Sequence, residues 1–297
     1  MTIKSSMRLS DRTWILTFDD DISVMVIIGT NFTVLCDTHL GPDSIKEIHQ
    51  FLDPVPHSAK FFIFNSHSDW DHIWGNCAFP GMLIAGHISS RVRMKERGTF
   101  DLSRHNTKTR GLVQIRLPNL TFDSGLILDE DDVEFSYAPG HTIDSSVCLD
   151  RKDNILYLGD LAEDPIPYID YERVDIYIRS LESILKSPAN ILVSAHSGII
   201  TRDLIRSNID YLDKVSKGHP IDTSSFGPYE KVHQANLNTL IICRYERLVK
   251  EKYGDTYSFD RFWSSIPDPE ETDTETMEES LKSLLHEGLK GRDFTLQ

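Results

Sequence analysis

The segment of this chain best suited to chemistry is a short stretch rich in histidine and aspartate, residues 65–76, which reads NSHSDWDHIWGN. It places two imidazoles and two carboxylates within six residues. A mixed set of nitrogen and oxygen donors suits zinc, iron or manganese and is poor for soft metals that prefer thiolate. The segment therefore predicts a metal site with ligands drawn from His67, Asp69, Asp71 and His72.

The residues just before this segment indicate how it is held. Residues 60–64 read KFFIF, an apolar and aromatic run typical of a buried strand. Because α/β proteins place their sites on loops that leave the C-terminal ends of strands, we expect the ligands to lie on such a loop. One metal ion cannot use all four groups of so tight a loop.

The spacing of the segment resembles the signature of the metallo-β-lactamase superfamily, His-x-His-x-Asp-His, with Asp69 in place of the second histidine. Three later stretches follow in the order of the family: APGHT at 138–142, YLGD at 157–160 and VSAHSG at 193–198. Alone, each could be ordinary turn chemistry. Because each follows an apolar strand-like run, the ordered set favours a metal site.

The resemblance implies a pair of metal ions, each with its own ligands. The implied ligands are His67, Asp69 and His141 for the first metal, Asp71, His72 and His196 for the second, and Asp160 for both. Asp37, in the run VLCDT, matches the structural aspartate that stands behind the site in the family and holds its ligands in place. The predicted cofactors are two divalent ions of zinc, iron or manganese.

The chemistry that follows from such a pair is hydrolysis. Two divalent ions that share Asp160 and a water lower the pKa of that water towards neutrality. Asp71 is the predicted catalytic residue, because it would orient the attacking water or accept its proton. The predicted function is a metal-dependent hydrolase acting on an ester, lactone, amide, thioester or phosphoester of a small, anionic substrate.

Two other classes of function stay open. Flavodiiron proteins of the same superfamily carry a carboxylate at the position of Asp69, and their redox-active irons reduce oxygen or nitric oxide. Those enzymes also carry a flavodoxin-like electron donor, whereas the segment after residue 218 is too short and too helical in pattern to be one. The third class is a metal-binding or sensing protein without turnover.

Composition limits the classes of partner and the cellular compartment that we expect for this protein. The chain of 297 residues is 39% hydrophobic and 26% charged with a net charge of −15, and this acidity argues against a nucleic-acid partner. The four cysteines include no Cys-x-x-Cys pair, which indicates reduced thiols and a cytoplasmic protein. Residues 1–17 lack the apolar core of a signal peptide, and no apolar run is long enough to predict a membrane span.

Hydrophobic patterning predicts strands followed by mixed strands and helices, which favours two sheets packed face to face. The resemblance specifies an α/β fold, the αββα sandwich of two mixed sheets with helices outside, over residues 1–218. Residues 219–297 are predicted to be a helical extension that packs on this domain or forms a homodimer. The predicted strands are 13–18, 24–28, 32–36, 60–64, 82–85, 126–128, 133–137, 146–149, 155–158 and 191–193, and the predicted helices are 42–52, 88–97, 174–185, 202–217, 229–253 and 277–285.

A basic segment supplies the only sequence signal for a substrate. Residues 91–116 hold eight basic and two acidic side chains in an otherwise acidic chain. We expect the helix there to end at Gly98 and residues 99–117 to form an irregular lid or wall. The interpretation without a ligand is a solvated basic face. The functional interpretation is a site for a carboxylate, phosphate or sulfate formed by Arg104, His105, Lys108 and Arg110.

Overall fold

Two β-sheets packed face to face form the framework of the computed structural model, which describes residues 2–287. Their strands pair in sequence order within each sheet. The first sheet contains β1 (Ile3–Arg8), β2 (Thr13–Phe18), β3 (Ser23–Ile28), β4 (Thr33–Cys36), β5 (Phe61–Phe64), β6 (Leu83–His87) and β7 (Leu120–Phe122). The second contains β8 (Gly125–Leu128), β9 (Val133–Tyr137), β10 (Ser146–Asp150), β11 (Ile155–Tyr157), β12 (Ile191–Ser194) and β13 (Gly198–Ile200).

Both sheets are mixed. In the first, β1 to β4 form an antiparallel meander, and β4 to β7 run parallel. In the second, β11 and β12 are parallel and the other pairs are antiparallel. Parallel neighbours direct the loops after their carboxyl ends to one edge of the sheet, so β4, β5, β11 and β12 can bring their loops together there.

Aromatic side chains fill the space between the sheets. Phe135 of β9 stacks on Phe62 and Phe64 of β5, with ring centroids 5.5 and 4.6 Å apart. All three rings are buried. The apolar and aromatic run that predicted a buried strand is therefore central to the contact between the sheets.

Helices cover the outer faces of both sheets. On the first sheet, α1 (Pro42–Leu52) buries Ile45, Ile48 and Leu52. On the second, α4 (Val174–Leu185) and α5 (Arg202–Ser216) bury an apolar stripe, and α5 begins where the Thr201 side chain accepts a hydrogen bond from the Leu204 N–H. The predicted αββα sandwich is confirmed.

The predicted end of a helix at Gly98 is wrong. After the short α2 (Trp70–Ile73), helix α3 runs without interruption from Ile88 to Arg104, followed by a single 3₁₀ turn at Asn106–Lys108. A β-carbon at position 98 would lie 3.0 Å from the Ile115 side chain. Glycine here lets the segment after α3 pack closely on the helix, so the irregular lid expected over 99–117 is shorter than predicted.

Within the described residues, the C-terminal region contains three α-helices: α6 (Glu230–Tyr253), α7 (Phe259–Ser265) and α8 (Thr274–Glu287). They share a cluster that includes Ile242, Phe262 and Leu281. The start of α6 also joins the core under the second sheet, because Val232 packs in the cluster of α4 and α5. Met1 and residues 288–297, at the two ends of the predicted domains, lie outside the described residues. Within residues 2–287, no helix is long and apolar enough to cross a membrane.

Replacement of Phe135 by alanine tests the packing between the sheets. We expect Phe135→Ala to lower the free energy of unfolding by about 3–5 kcal/mol, because it leaves a cavity beside two stacked rings. The matched control is Ile127→Ala on the neighbouring strand, where the side chain is exposed and the change should stay within about 0.5 kcal/mol. Equal urea-unfolding midpoints for the two variants would contradict this assignment of the core.

Candidate metal centre

The residues predicted to bind metal come from loops that leave four strand ends. His67 follows β5, His141 follows β9, Asp160 follows β11 and His196 follows β12. Asp37 directly follows β4. The two sheets meet at this edge, so segments far apart in sequence present their side chains to one point.

Two groups of side chains there have the arrangement of a metal site. In each group, one nitrogen or oxygen atom per residue lies within 4.8 Å of the corresponding atoms of the others. The groups are Asp71, His72, Asp160 and His196, and His67, His141 and Asp160. Asp160 belongs to both, which is the position of a bridging ligand.

The carboxylate of Asp160 lies close to three imidazoles of the centre. Asp160 Oδ2 lies 3.1 Å from His72 Nε2, 3.2 Å from His196 Nε2 and 3.6 Å from His67 Nε2. These three imidazoles therefore converge on one oxygen atom. These residues could hold two cations that share the Asp160 carboxylate.

Asp69 is the departure from the family signature. It faces the group formed by His67, His141 and Asp160. Its Oδ2 atom lies 3.2 Å from His141 Nε2 and 3.6 Å from His67 Nε2. Its other oxygen lies 3.9 Å from a nitrogen of Arg93. A carboxylate therefore takes the place of the second signature histidine, and an arginine stands beside it.

Two buried atoms indicate that the residues fit a metal ion. His67 Nε2 and Asp160 Oδ1 have no hydrogen-bond partner among the described residues. A buried polar atom without a partner costs about 1–3 kcal/mol. A cation between these side chains would satisfy both atoms, and the imidazole and carboxylate donors suit zinc, iron or manganese.

The electrostatics of the centre depend on carboxylates and imidazoles in contact. Burial opposes ionisation of Asp160, but the charges and hydrogen bonds of His196 and His72 outweigh it and hold its pKa well below the usual range. Burial opposes protonation of His141, yet its hydrogen bond with Asp69 raises its pKa to about 9. Metal ions compete with such protons, so binding of a cation here releases protons.

Asp37 supports the centre from behind. Its carboxylate accepts hydrogen bonds from His72 Nδ1 at 2.9 Å, Tyr157 Oη at 2.8 Å, and the Ser66 hydroxyl and N–H, both at 2.7 Å. The bond from His72 Nδ1 turns Nε2 of that ring towards Asp160. This is the supporting role that the resemblance implies for Asp37.

The basic segment separates into buried and exposed residues. The Arg110 side chain is only 7% exposed, and its guanidinium is paired with Asp19 and Asp20 and lies 5.3 Å from the centre of the Phe18 ring. Its charge is therefore paired with two acidic side chains of the first sheet's loops, and its role in substrate binding stays a prediction. By contrast, Arg104 and Lys108 are exposed and form no ion pair within residues 2–287.

His105 lies beside the metal-binding loop. Its ring stacks on Trp70, with ring centroids 4.5 Å apart and ring planes 9° from parallel. Trp70 stands between Asp69 and Asp71 in sequence. Burial lowers the pKa of His105, so this ring is a neutral wall near the centre rather than a fixed positive charge.

Sequence reasoning missed two residues near the centre, Arg93 and Glu163. Arg93 was counted only as part of the basic segment, although its guanidinium reaches Asp69, Asp144 and Asp170. Glu163, on the loop after Asp160, is buried, and burial together with the Asp160 charge raises its pKa to about 7. The available signal for Arg93 was its helical spacing from Arg97; Glu163 had none.

The chain is similar to known proteins in sequence and in fold. A sequence profile described as the metallo-beta-lactamase superfamily matches residues 18–196, which include both groups of side chains. The solved structure of TMB-1 is similar, with a TM-score of 0.57 at 19% identity over 71% of this chain and 98% of that one. A metallo-beta-lactamase from Pontibacter korlensis has a TM-score of 0.55 at 17% identity, over 70% of this chain and 98% of that one. For the DIM-1 metallo-beta-lactamase exposed to ceftazidime the TM-score is 0.53 at 17% identity, over 71% and 96%. These likenesses show the shared fold.

Metal content of three variants tests the two groups. We expect the wild-type chain to hold close to two ions of zinc, iron or manganese, and His196→Ala to hold about one, because His196 belongs to a single group. Asp160→Ala should hold fewer than His196→Ala, because its carboxylate belongs to both. Elemental analysis after removal of loosely bound metal measures this, with the exposed His219 replaced by alanine as the control. A wild-type chain that binds no metal when supplied with these ions would contradict the site.

Proposed function

This chain belongs to the metallo-β-lactamase superfamily, and we propose that it is a hydrolase acting with two divalent metal ions on a small ester, lactone, amide, thioester or phosphoester. The observation that carries the proposal is the Asp160 carboxylate shared by two groups of ligands. When bound, a pair of divalent ions supplies a water of lowered pKa and polarises the bond to be cleaved. The chain contributes the arrangement of groups around that reaction.

Asp71 is the residue we propose to act on the attacking water. Burial opposes its ionisation, but the charge of His72 and the hydrogen bond with His196 lower its pKa, so the carboxylate is ionised at neutral pH. Its Oδ2 atom lies 3.4 Å from His196 Nε2 and 3.6 Å from His72 Nε2. An ionised carboxylate in this position can orient a water and accept its proton.

Access to the centre is from one side. The side chains of His67 and His72 are buried, whereas those of Asp69, Asp71 and His196 are 21%, 15% and 28% exposed. A substrate therefore reaches the centre past the exposed carboxylates and His196. Trp70, which stacks on His105, lies between Asp69 and Asp71 in the sequence.

A small cavity is bordered by a residue whose backbone contacts His141. His141 Nδ1 donates to the Tyr168 carbonyl at 3.2 Å, and the Tyr168 side chain borders a cavity of about 270 Å³. Tyr229 and Lys231 of the C-terminal region also line it. None of the described residues that line it is a candidate metal ligand, so it is separate from the proposed site of reaction.

A redox di-iron centre is the second candidate, because Asp69 adds a hard oxygen donor that favours iron or manganese. Its specific support is the carboxylate 3.2 Å from His141 Nε2. The hydrolase is preferred because carboxylate ligation does not by itself require redox chemistry. The two proposals differ in what the purified protein consumes.

Replacement of Asp71 by asparagine tests the hydrolase. We expect Asp71→Asn to lower kcat by about 10²–10⁴-fold, because an amide neither accepts the proton nor carries the charge. The fold should persist, since the change hardly alters volume. Rates are measured on a panel of chromogenic esters, lactones, thioesters and phosphoesters.

The same preparation separates the two candidates. A wild-type protein that hydrolyses none of the panel but consumes oxygen with a chemical reductant, and shows oxo-bridged di-iron absorption, would replace the hydrolase with the redox enzyme. Wild-type turnover by Asp71→Asn would remove that residue from the mechanism and leave the metal centre to other tests.

The exposed basic residues give a prediction about charge. We propose that Arg104 and Lys108 attract an anionic substrate, since neither has an ion-pair partner in the described part of the chain. Arg104→Gln should raise KM for anionic esters more than for neutral ones, and added salt should shrink the difference. Lys152→Gln, on a distant exposed turn, is the control. Equal changes in KM for charged and neutral esters would assign Arg104 to the solvated face.

A further inference from the structure

Arg93 of α3 contacts three of the loops that surround the metal centre. Its Nε atom donates to the Ser68 hydroxyl at 3.1 Å and lies 3.1 Å from Asp144 Oδ1. Its Nη2 atom donates to Asp170 Oδ2 at 2.6 Å and lies 3.9 Å from Asp69 Oδ1. One guanidinium thereby joins the loop after β5, the loop after β9 and the segment before α4.

These contacts hold residues next to the candidate ligands. Ser68 precedes Asp69, and the Asp170 N–H donates to the His141 carbonyl at 2.8 Å. Asp144 is completely buried, and its Oδ2 atom has no hydrogen-bond partner among residues 2–287. Buried carboxylates need a compensating charge, which Arg93 supplies.

The position of Arg93 is related to the unusual ligand of this chain. A carboxylate at position 69 is more negative than a histidine, and it must face His67 and His141 to serve the first metal. Arg93 and His141 approach different oxygens of the Asp69 carboxylate. Arg93 lies beside Oδ1, and His141 lies beside Oδ2. The guanidinium donates to the hydroxyl of Ser68, the residue before Asp69, and lies 3.9 Å from Asp69 Oδ1. It can therefore hold the Asp69 carboxylate through the position of the loop and through its charge.

We propose that Arg93 is a positioning residue that holds Asp69 towards the first metal, the one shared by His67, His141 and Asp160. Arg93 belongs to neither group of candidate ligands. The inference rests on the metal pair of the proposed function but not on hydrolysis, so its test measures metal binding alone.

A second arginine one turn along α3 keeps this arrangement rigid. Arg97 donates to the same Asp170 oxygen at 2.9 Å and lies 3.8 Å from Asp101. On its other side, the guanidinium lies 5.6 Å from the centre of the Phe259 ring and 5.8 Å from that of Trp263. Helix α7 therefore covers the ion pairs, and reduced access of water strengthens their electrostatics.

Arg93→Lys is the discriminating variant. Lysine keeps the positive charge, but its single nitrogen cannot occupy the positions of both guanidinium nitrogens. In the wild type, Nε faces Ser68 and Asp144 and Nη2 faces Asp170. Loss of such support around metal ligands lowers metal affinity by about 10–100-fold. We expect that loss at the first metal, with affinity for the second metal, bound by Asp71, His72 and His196, close to that of the wild type.

The experiment titrates the full-length protein with Zn²⁺ or Mn²⁺ against a chromogenic chelator, which resolves two binding steps. Lys95→Arg, the reverse exchange on the exposed face of the same helix, is the matched control. Circular dichroism and urea unfolding verify that each variant is folded. Should Arg93→Lys fail to fold, Ser68→Ala removes one Arg93 contact and should weaken the same step.

A double-mutant cycle shows whether Arg93 acts through Asp69. If it does, Arg93→Lys strongly weakens binding of the first metal in the wild-type background. The same change has little effect when Asp69 is already asparagine. Additive losses, or two wild-type binding steps in Arg93→Lys, would overturn the inference. A wild-type protein that binds both ions without hydrolysing any ester would refute the proposed hydrolase, while the effect of Arg93→Lys would still establish the positioning role.

Discussion

The buried carboxylate of Asp37 is the contact on which the centre depends. It lies at the end of β4 in the first sheet and accepts a hydrogen bond from Tyr157 of β11 in the second. It also accepts from Ser66 and His72 on the loop after β5. Because a buried carboxylate is stable only when its oxygens are satisfied, the two sheets and the loop must adopt one relative position. That position brings His72 to Asp160.

Charge compensation explains the residues around this contact. Carboxylates crowd the same end of both sheets, and the imidazoles of His72, His141 and His196 neutralise those nearest the centre. Farther out, Arg93 and Arg97 neutralise Asp170 and its neighbours. The local positive excess seen in residues 91–116 is thus partly the counterpart of acidic loops that are distant in sequence. A run of like charges along a chain need not be a surface of like charge once the chain is folded.

The predicted elements follow closely from local patterning, and the errors have physical causes. Buried strands such as 61–64 and helices such as Pro42–Leu52 are specified by runs and stripes of apolar residues. Gly98 predicts a helix end because glycine is a poor helix former, but a close contact with Ile115 requires glycine inside α3. The patterning does not predict the edge strands β1, β7 and β13, since pairing with a neighbour rather than their own pattern defines them.

The sequence by itself contained the signature and the three later motifs, because these are residue types at fixed spacing next to strand-like runs. The αββα sandwich and the seven candidate metal ligands followed from the resemblance of those motifs to the family. Only the tertiary structure decided what surrounds them. It showed Asp160 within reach of both groups, Arg110 engaged with Asp19 and Asp20, and Arg93 beside Asp69. Each of these facts is a distance between residues far apart in the chain, and no local pattern encodes which acidic loop will meet which arginine once the sheets have packed.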